Sequence, residues 1–394
     1  MTECSPRPTV RDALLLVANY DSDVGYAWWL MESFWAAIAR RYSPTLRVLL
    51  AYPRISKLPT EIAQAPVELS ETDFSQRSWQ AIRLQLQLLR EARIRTMYLT
   101  DAPSISWCYL LYRLAGVRTI IVHDHTPGRR STPTTLALFA KRLLHRVPGL
   151  AADAMIGVTP FVSRRHRDVV GFPAERCFVA ENGIPDSASE ERVDVRATFG
   201  IPADRRVLVS VGRAHHVKGI SVVLDAMAML IREHGRRDIH FLFCGDGPHL
   251  QDFIDQAESL RIRDHVTFAG RYSPVIPIVR GSDIAIHAST AEVGYSLSIL
   301  ECMQAGLPLV VSDDESVAGA TEAGVTGLTF RTDDAAAAAA AIVHLLDDPV
   351  LGARLGATAR ERVKQHYTLA RTHVQLLDAV ERTMRRRDPA LLPR

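Results

Sequence analysis

Short, continuous apolar runs alternate with helical patterns along the whole of this 394-residue chain, and no other feature limits its fold as strongly. The runs lack apolar/polar alternation, which is typical of strands buried on both faces of a parallel sheet. The predicted strands of the first half are Ala13–Ala18, Leu46–Tyr52, Met97–Thr100, Thr119–Val122, Ala154–Val158 and Phe178–Ala180. Those of the second half are Val207–Val211, His240–Cys244, His265–Ala269, Ile284–Ala288, Leu309–Val311 and Leu328–Phe330. Two successive blocks of this kind predict an α/β protein with two doubly wound, Rossmann-like domains.

The boundary between the two domains is predicted over Asn182–Arg192, where turn-forming and polar residues show no periodicity. The predicted domains are residues 1–187 and 188–368, followed by a C-terminal helix and basic tail over 369–394. The helices predicted between strands include Tyr26–Arg41, Ser75–Arg93, Ser221–His234, Pro248–Ser259 and one that contains Ala335–Ala341.

The composition is close to that of an average globular protein, with 47% apolar and 23% charged residues, so the chain is not largely disordered. The five cysteines are scattered and never spaced as C-x-x-C, which argues against a disulfide framework or a zinc site and favours a reducing compartment. Met1–Arg11 lacks the apolar core of a secretory signal, and no run reaches the roughly 18 apolar residues of a membrane span. The expected location is the cytoplasm, either free or at the inner face of the membrane.

Positive charge is concentrated in the first half. The net charge is only +3, but the segment from Arg113 to Arg176 holds 11 basic and 4 acidic residues. This excess indicates an anionic acceptor, a membrane surface or a plain solvated face, and no nucleic acid partner is expected. Within it, Thr134–Val147 mixes leucines and Phe139 with basic residues, as a helix on an anionic membrane surface would. The alternative for this segment is an ordinary core-facing helix.

Basic and small residues follow the first predicted strand of the second half. Gly212 ends that strand and permits close approach of the backbone, and Arg213 and Lys218 come soon after it. The carboxyl ends of parallel strands lie at one edge of a sheet, where ligands bind. A guanidinium fork together with an ammonium group suits a diphosphate, although a basic pair in a loop can also be merely solvated.

Two further loops follow strands of the second half. The run Gly245-Asp246-Gly247-Pro248 predicts a tight turn into a helix, which is either a plain turn or a wall near a nucleobase. After Glu292, the run Gly294-Tyr295-Ser296-Leu297 opens another helix, whose N–H groups and partial positive charge suit a phosphate without a metal. Glu301 is either the acid of a capping box with Ser298 or a carboxylate that accepts hydrogen bonds from ribose hydroxyls.

Other nucleotide-binding motifs are absent from the sequence. It contains no G-x-x-x-x-G-K-[ST] loop and no strand-linked G-x-G-x-x-G, so a P-loop nucleoside triphosphatase or a dehydrogenase is poorly supported. Asp21-Ser22-Asp23 has the D-x-D form that holds a metal in some glycosyltransferases. Three-residue matches of this kind are common, and we expect no metal and no other cofactor.

In combination and order, these motifs resemble the family-4 retaining glycosyltransferases of the GT-B fold. The resemblance covers nearly all of the second half, through Val211–Arg213, Lys218-Gly219, Cys244–Pro248, Val266–Gly270, Ser282–Ile284, Glu292, Glu301 and Ala305–Pro308. The first half matches more loosely, through Val122–His125, Ala152-Asp153, Ile156–Thr159 and Val179–Ile184. The resemblance implies two facing domains, an N-terminal one for the acceptor and a C-terminal one for the donor, with the last helix returning to the N-terminal domain.

By resemblance, the enzyme moves a sugar from a nucleotide diphosphate, UDP being the family's commonest carrier, to a glycan, lipid-linked or small-molecule acceptor. Such reactions belong to polysaccharide, lipopolysaccharide and other glycoconjugate biosynthesis. The departing phosphate takes the acceptor's proton, so neither a metal nor a protein nucleophile is needed. Arg213 and Lys218 would bind the diphosphate, Glu292 would touch the sugar hydroxyls, and Glu301 would hold the ribose. Backbone amides from Tyr295 to Leu297 would cradle the distal phosphate.

In the first half, the resemblance implies a histidine near the sugar and the acceptor. We expect His123 in this role, with His125 as the second choice, because both follow a predicted strand. The family's first loop commonly carries adjacent glycines, whereas this chain offers only Gly25. The family's paired glutamates are usually eight positions apart, whereas Glu292 and Glu301 are nine apart. The alternatives are a nucleotide-sugar epimerase of the same fold and a non-catalytic nucleotide-sugar-binding partner.

Overall fold

The computed structural model describes residues 11–24, 28–128, 130–186, 191–292 and 294–391. By its internal contacts the chain divides into two compact units. Unit 1 comprises Met1–Thr126, Arg130–Ala180 and His373–Arg394, and unit 2 comprises Pro127–Arg129 and Glu181–Thr372. The sequence predicts domain boundaries near residues 187 and 368. In the structure, the first boundary lies a few residues before the predicted one and the second lies a few residues after it.

Unit 1 contains a seven-stranded parallel sheet in the order β3-β2-β1-β4-β5-β6-β7. Its strands are β1 (Ala13–Val17), β2 (Arg47–Tyr52), β3 (Glu68–Glu71), β4 (Ile94–Thr100), β5 (Thr119–Asp124), β6 (Ala154–Gly157) and β7 (Cys177–Val179). Every residue of β1 is at most 1% exposed, as expected of a central strand covered on both faces. The sequence analysis missed β3, because this edge strand is a mostly exposed Glu-Leu-Ser-Glu segment without an apolar run.

The helices of unit 1 lie between these strands. They are α1 (Trp29–Tyr42), α2 (Thr60–Ala63), α3 (Trp79–Glu91), α4 (Trp107–Leu114), α5 (Thr135–Leu144) and α6 (Pro160–Arg165), the last continuing into a π-helical turn, His166–Val170. Several begin at a side chain that caps the first turn; for example, Ser78 Oγ accepts a hydrogen bond from the Ala81 N–H. In contrast to the other long helices, α5 has no buried residue.

Unit 2 contains a six-stranded parallel sheet in the order β10-β9-β8-β11-β12-β13. Its strands are β8 (Arg206–Val211), β9 (Ile239–Cys244), β10 (Val266–Gly270), β11 (Ile284–His287), β12 (Leu309–Ser312) and β13 (Leu328–Phe330). Its helices are α7 (Val195–Phe199), α8 (Ile220–Arg232), α9 (Leu250–Ser259), α10 (Ile276–Gly281), α11 (Leu297–Ala305), α12 (Glu315–Ala318), α13 (Ala335–Asp347) and α14 (Pro349–His366).

The last helix, α15 (Leu369–Arg387), begins in unit 2 and belongs to unit 1 from His373 onward, as expected for a helix that returns to the first domain. The predicted class, an α/β protein with two doubly wound Rossmann-like units, is confirmed. Among the described residues, no single helix has the length and apolar character needed to cross a membrane. In the same described part of the chain, the helices α13 and α14 meet that test only as a pair, and they are bent by 102° at their junction.

Candidate active site

The direction of chain winding in unit 2 reverses between two neighbouring strands, β8 and β11. From β8 the chain proceeds through β9 to β10 on one side, and then returns to place β11 on the other side of β8. In doubly wound sheets, ligands bind at the carboxyl ends of the strands where the order reverses. The loops after β8 and β11 carry most of the residues predicted to bind the donor.

The loop after β8 holds Arg213 and Lys218, of which Arg213 is exposed and Lys218 is partly buried. Gly212 lies beside the Lys218 side chain, since a Cβ at Gly212 would be 3.9 Å from Lys218 Cδ. Gly219 has φ +65°, and a Cβ there would be 2.0 Å from the carbonyl oxygen of Ala288. Only glycine permits this contact, which brings Lys218 against the end of β11.

Lys218 forms an ion pair with Glu292 in the loop after β11. Lys218 Nζ donates to Glu292 Oε1 at 2.5 Å, and the same oxygen is 2.8 Å from His287 Nε2. Ser289 Oγ also donates to Glu292 Oε1, at 2.7 Å. Three polar groups therefore converge on one buried carboxylate oxygen, which is how a protein keeps a buried charge.

These contacts decide the charge of Glu292. Burial raises the pKa of the Glu292 carboxyl, but Lys218 and His287 outweigh burial, so its pKa lies well below the usual range. The ionised Glu292 attracts the Lys218 side chain, because opposite charges at this distance stabilise each other. The arrangement holds a cation at the carboxyl edge of the sheet with little freedom of orientation.

The loop after β9 packs against the loop after β8. A Cβ at Gly245 would be 1.8 Å from the Gly212 carbonyl oxygen, so the two backbones are in direct contact. The Ala214 N–H donates to the Asp246 carbonyl at 2.9 Å, while the Asp246 side chain is exposed and accepts from the Gly247 N–H. Both Gly245 and Asp246 therefore lie at the same edge of the sheet as Lys218.

The amino end of α11 lies at this edge as well. Gly294 has φ +66°, and Ser296 precedes the first helical residue, Leu297, without its side chain accepting a hydrogen bond from a backbone N–H of the first turn. The first N–H groups of such a helix have no acceptors within the helix, so they are available to an anion. The Tyr295 side chain does not face this helix end as a free group, because its hydroxyl donates to Glu181 at 2.9 Å and its ring packs on Tyr367. Tyr295 can therefore offer an anion only its backbone N–H group.

Glu301 does not cap α11. The helix begins at Leu297, so Glu301 lies in its second turn and the capping-box alternative with Ser298 is wrong; Ser298 Oγ instead contacts Ser296 Oγ. Burial raises the pKa of Glu301 to about 7. A half-buried carboxyl with no described hydrogen-bonding partner, next to a helix amino end, is suited to accept bonds from a ligand's hydroxyl groups.

In unit 1, β5 is two residues longer than predicted, so His123 lies within the strand instead of after it. His123 is completely buried, its Nδ1 is 2.5 Å from the Tyr98 hydroxyl, and its ring stacks on Phe34. Burial, together with the neighbouring His125 and His166, holds the pKa of His123 well below its usual range. It is therefore a neutral histidine whose surroundings are all protein.

His125 lies just beyond β5, with its ring centroid 4.1 Å from that of His123. Neither ring nitrogen of His125 has a hydrogen-bond partner among the described residues, and Asp101 Oδ1 is 3.5 Å from its Nδ1. Of the two predicted histidines, His125 is the one at the carboxyl edge of the sheet. The third predicted residue of the first half, Gly25, lies outside the described residues.

Several polar residues at these edges were not predicted. His287 ends β11, Ser289 follows it, and both bind Glu292; a histidine that ends an apolar strand is the signal that would have identified them. In unit 1, Asp124 at the end of β5 is 3.0 Å from Arg165 Nη2 and 2.8 Å from His166 Nε2. This cluster fixes the loop that carries His125, and nothing in the spacing of the sequence indicates it.

One group of side chains in the described part of the chain is arranged as metal ligands. His216, His249 and Asp252 have ligand atoms within 4.8 Å of one another, near the loop after β8. Asp21 and Asp23, the D-x-D pair of the sequence, are exposed and belong to no such group among the described residues.

Comparisons with known proteins match both halves of the chain. The model for "Glycosyltransferase Family 4" matches residues 26–188, and that for "Glycosyl transferases group 1" matches residues 191–362. Among curated proteins, alpha-D-kanosaminyltransferase of Streptomyces kanamyceticus is 31% identical over 316 residues, covering 75% of this chain and 79% of that protein.

Solved structures agree with this match. A glycosyltransferase of Rickettsia africae ESF-5 has a TM-score of 0.77 at 15% identity, over 95% of this chain and 99% of that one. Anabaena HepE, solved in complex with UDP-glucose, has a TM-score of 0.71 at 18% identity, over 93% and 99% of the two chains. These likenesses bear out the GT-B fold. The chain thus belongs to the family-4, group 1 glycosyltransferases.

Proposed function

We propose that this glycosyltransferase takes its sugar from a nucleotide diphosphate bound by unit 2, without a metal, and transfers it with retention of the anomeric configuration. One observation carries the proposal. The Lys218–Glu292 ion pair, 2.5 Å between Nζ and Oε1, fixes a cation beside an uncapped helix amino end where the strand order reverses. These two features provide the positive charge that a diphosphate needs.

The remaining donor contacts follow from what each group can offer. Arg213 joins Lys218 on the diphosphate, and the N–H groups of Ser296 and Leu297 bind the distal phosphate. Glu301 accepts hydrogen bonds from the ribose hydroxyls, a role for which its helix position leaves it available. The main role of Glu292 is to position Lys218, because its Oε1 already contacts three polar groups. Contact with the sugar is its lesser role.

In unit 1 we assign a role in transfer to His125, with His123 as the group that positions its ring. The two buried rings lie 4.1 Å apart, and the bond from Tyr98 fixes the orientation of His123. His125 Nδ1 lies 3.5 Å from Asp101, whereas its Nε2 has no hydrogen-bond partner among the described residues and can bind a hydroxyl group of sugar or acceptor.

The chemical step needs no protein nucleophile. The bond between the anomeric carbon and the distal phosphate oxygen breaks, and the acceptor oxygen bonds to the same face of that carbon. The acceptor's proton passes to the departing phosphate. Lys218, Arg213 and the helix amino end stabilise the negative charge that develops on the phosphate, which is the largest contribution a protein can make here. UDP is the proposed carrier, as in the HepE complex, and the acceptor is a glycan, a lipid-linked saccharide or a small molecule.

The test is product analysis with UDP-glucose and a panel of glycan, glycolipid and small-molecule acceptors. We expect a product that retains the α configuration of the donor, assigned by the anomeric coupling constant in proton NMR. An inverted product contradicts the retaining mechanism. A new nucleotide sugar formed without any acceptor supports an epimerase instead, and binding without turnover across the panel supports a non-catalytic partner.

A further inference from the structure

Helix α5 of unit 1 presents an apolar face to solvent. Leu136 is 78% exposed and Phe139 is 59% exposed, and Leu143 and Leu144 are exposed as well. Since no residue of α5 is buried, the core-facing alternative for this segment is wrong. Contiguous exposed apolar side chains on a helix mark a surface that binds something.

Basic residues border this apolar face. Lys141 and Arg142 lie on α5 itself, and Arg146 follows its carboxyl end. Lys141 Nζ donates to the Val169 carbonyl at 3.1 Å, which ties α5 to the π-helical turn, whereas Arg142 and Arg146 are exposed and form no ion pair with any described residue. Apolar side chains flanked by uncompensated cations are the pattern of a helix that lies in the interface of an anionic membrane.

A cavity of about 960 Å³ opens beside the carboxyl end of α5. Its lining includes the segments that precede β6 and β7, so it lies at the amino edge of the sheet, opposite the edge that carries His125. Six arginines line it, against three acidic residues: Arg113, Arg142, Arg146, Arg167, Arg176 and Arg387. The cavity and the apolar face share Arg142 and Arg146 at their common border.

The arginines of this cavity are not neutralised by the acids present. The buried Asp153 is 2.9 Å from Arg113 and 3.0 Å from Arg387. Among the described residues, no other acidic side chain forms an ion pair with any of the six arginines. Arg176 donates to backbone carbonyls, and burial together with nearby arginines lowers its pKa. The Nε atoms of Arg113 and Arg167 are buried and have no hydrogen-bond partner among the described residues. Several guanidinium N–H groups of this cavity are therefore available to an anion with many oxygen atoms, such as a phosphate.

We propose that α5 and this arginine cavity form a docking surface for an anionic lipid bilayer, with a headgroup phosphate bound in the cavity and the α5 apolar side chains inserted among the lipids. A soluble phosphate compound would satisfy the arginines but leave Leu136 and Phe139 in water. A protein partner would need carboxylates placed to match the arginines next to an apolar surface placed to match the leucines. An anionic bilayer offers phosphates and hydrocarbon over one continuous surface, and so accounts for both features. This inference does not depend on the proposed donor or mechanism.

Flotation of the full chain with vesicles tests this proposal. We expect binding to phosphatidylcholine vesicles that contain phosphatidylglycerol at low salt, and its loss with phosphatidylcholine alone or at high salt. Replacing two cations, Arg142→Ala with Arg146→Ala, should weaken binding by about 25-fold, at roughly fivefold for each cation near the surface. Leu136→Glu with Phe139→Glu should abolish it. Because α5 buries no residue, both variants should keep the wild-type thermal melting curve.

Matched controls come from other exposed positions. Val350→Glu with Val374→Glu, at two similarly exposed valines, and Arg90→Ala with Arg237→Ala, at two exposed arginines, should bind vesicles as the wild type does. Two results would overturn the proposal. One is binding of inorganic pyrophosphate in the cavity with no affinity for vesicles, which indicates a soluble ligand. The other is self-association that disappears in Leu136→Glu with Phe139→Glu while vesicles are ignored, which indicates a second copy.

Discussion

Replacing Lys218 by alanine is expected to lower kcat at least 100-fold, the usual effect of removing one preorganised charge from a reacting oxyanion. The ammonium group of Lys218 is held 2.5 Å from Glu292 at the point where the strand order reverses. We therefore expect that a neighbouring side chain does not take over its position in the variant. Donor turnover under saturating substrate measures the effect. Since the contribution is electrostatic and arises as the phosphate departs, we expect kcat to fall more than the affinity for the donor.

The control for this variant is Lys364→Ala, at an exposed lysine of α14. It should leave kcat unchanged. Glu292→Gln should reduce kcat less than Lys218→Ala, and the double variant should lose less than the sum of the two losses, because each side chain acts through the other. A folded Lys218→Ala protein with wild-type kcat would remove Lys218 from the mechanism, and additive losses would separate Glu292 from it.

The second large effect concerns stability. Gly219→Ala should lower the free energy of unfolding by at least 3 kcal/mol, because the new methyl group would lie 2.0 Å from the Ala288 carbonyl oxygen at φ +65°. Gly235 is a matched control, since it has the same φ of +65° and nothing within 4 Å of an added Cβ. Gly235→Ala should therefore show only the cost of the left-handed backbone, about 1 kcal/mol. Urea denaturation of both variants measures the difference, and equal losses would contradict the close contact.

The predictable part of the site is the part that strand order determines. Parallel strands place their carboxyl ends at one edge, so the loops bearing Gly212, Gly245 and Gly294 were expected together, and the structure brings them together. The ion pair between Lys218 and Glu292 was not predicted, because 74 residues separate them and spacing says nothing about which side chains meet. Conversely, the capping-box spacing of Ser298 and Glu301 suggested a local contact that the helix start excludes.

Most of the other differences between the predicted and the observed structure concern polar residues at strand ends. The prediction ended β5 at Val122 because a run of His, Asp and His reads as a loop. In the structure the last two strand residues are buried polar groups, and Tyr98 contacts the Nδ1 of His123 while Arg165 donates to Asp124. Tertiary partners of this kind override local polarity. Likewise, the amphipathic pattern of α5 identified a helix but left open whether its apolar face meets the core or the solvent.

The measurement that tests the central claim most directly is calorimetric titration with UDP, GDP, ADP and CMP in EDTA, on the wild type and on Glu301→Gln. We predict that one diphosphate binds the wild type in EDTA and that the variant binds it more weakly. Since the pKa of Glu301 is about 7 and its ionised form is the better acceptor for ribose hydroxyls, wild-type affinity should rise as pH increases from about 6 to 8, by up to tenfold. The ligand's phosphate also titrates near pH 6. The contribution of Glu301 is therefore the rise in wild-type affinity that exceeds the rise measured for Glu301→Gln over the same pH range. Absence of binding by any nucleotide, or binding that requires a divalent cation, would contradict a metal-independent donor site in unit 2.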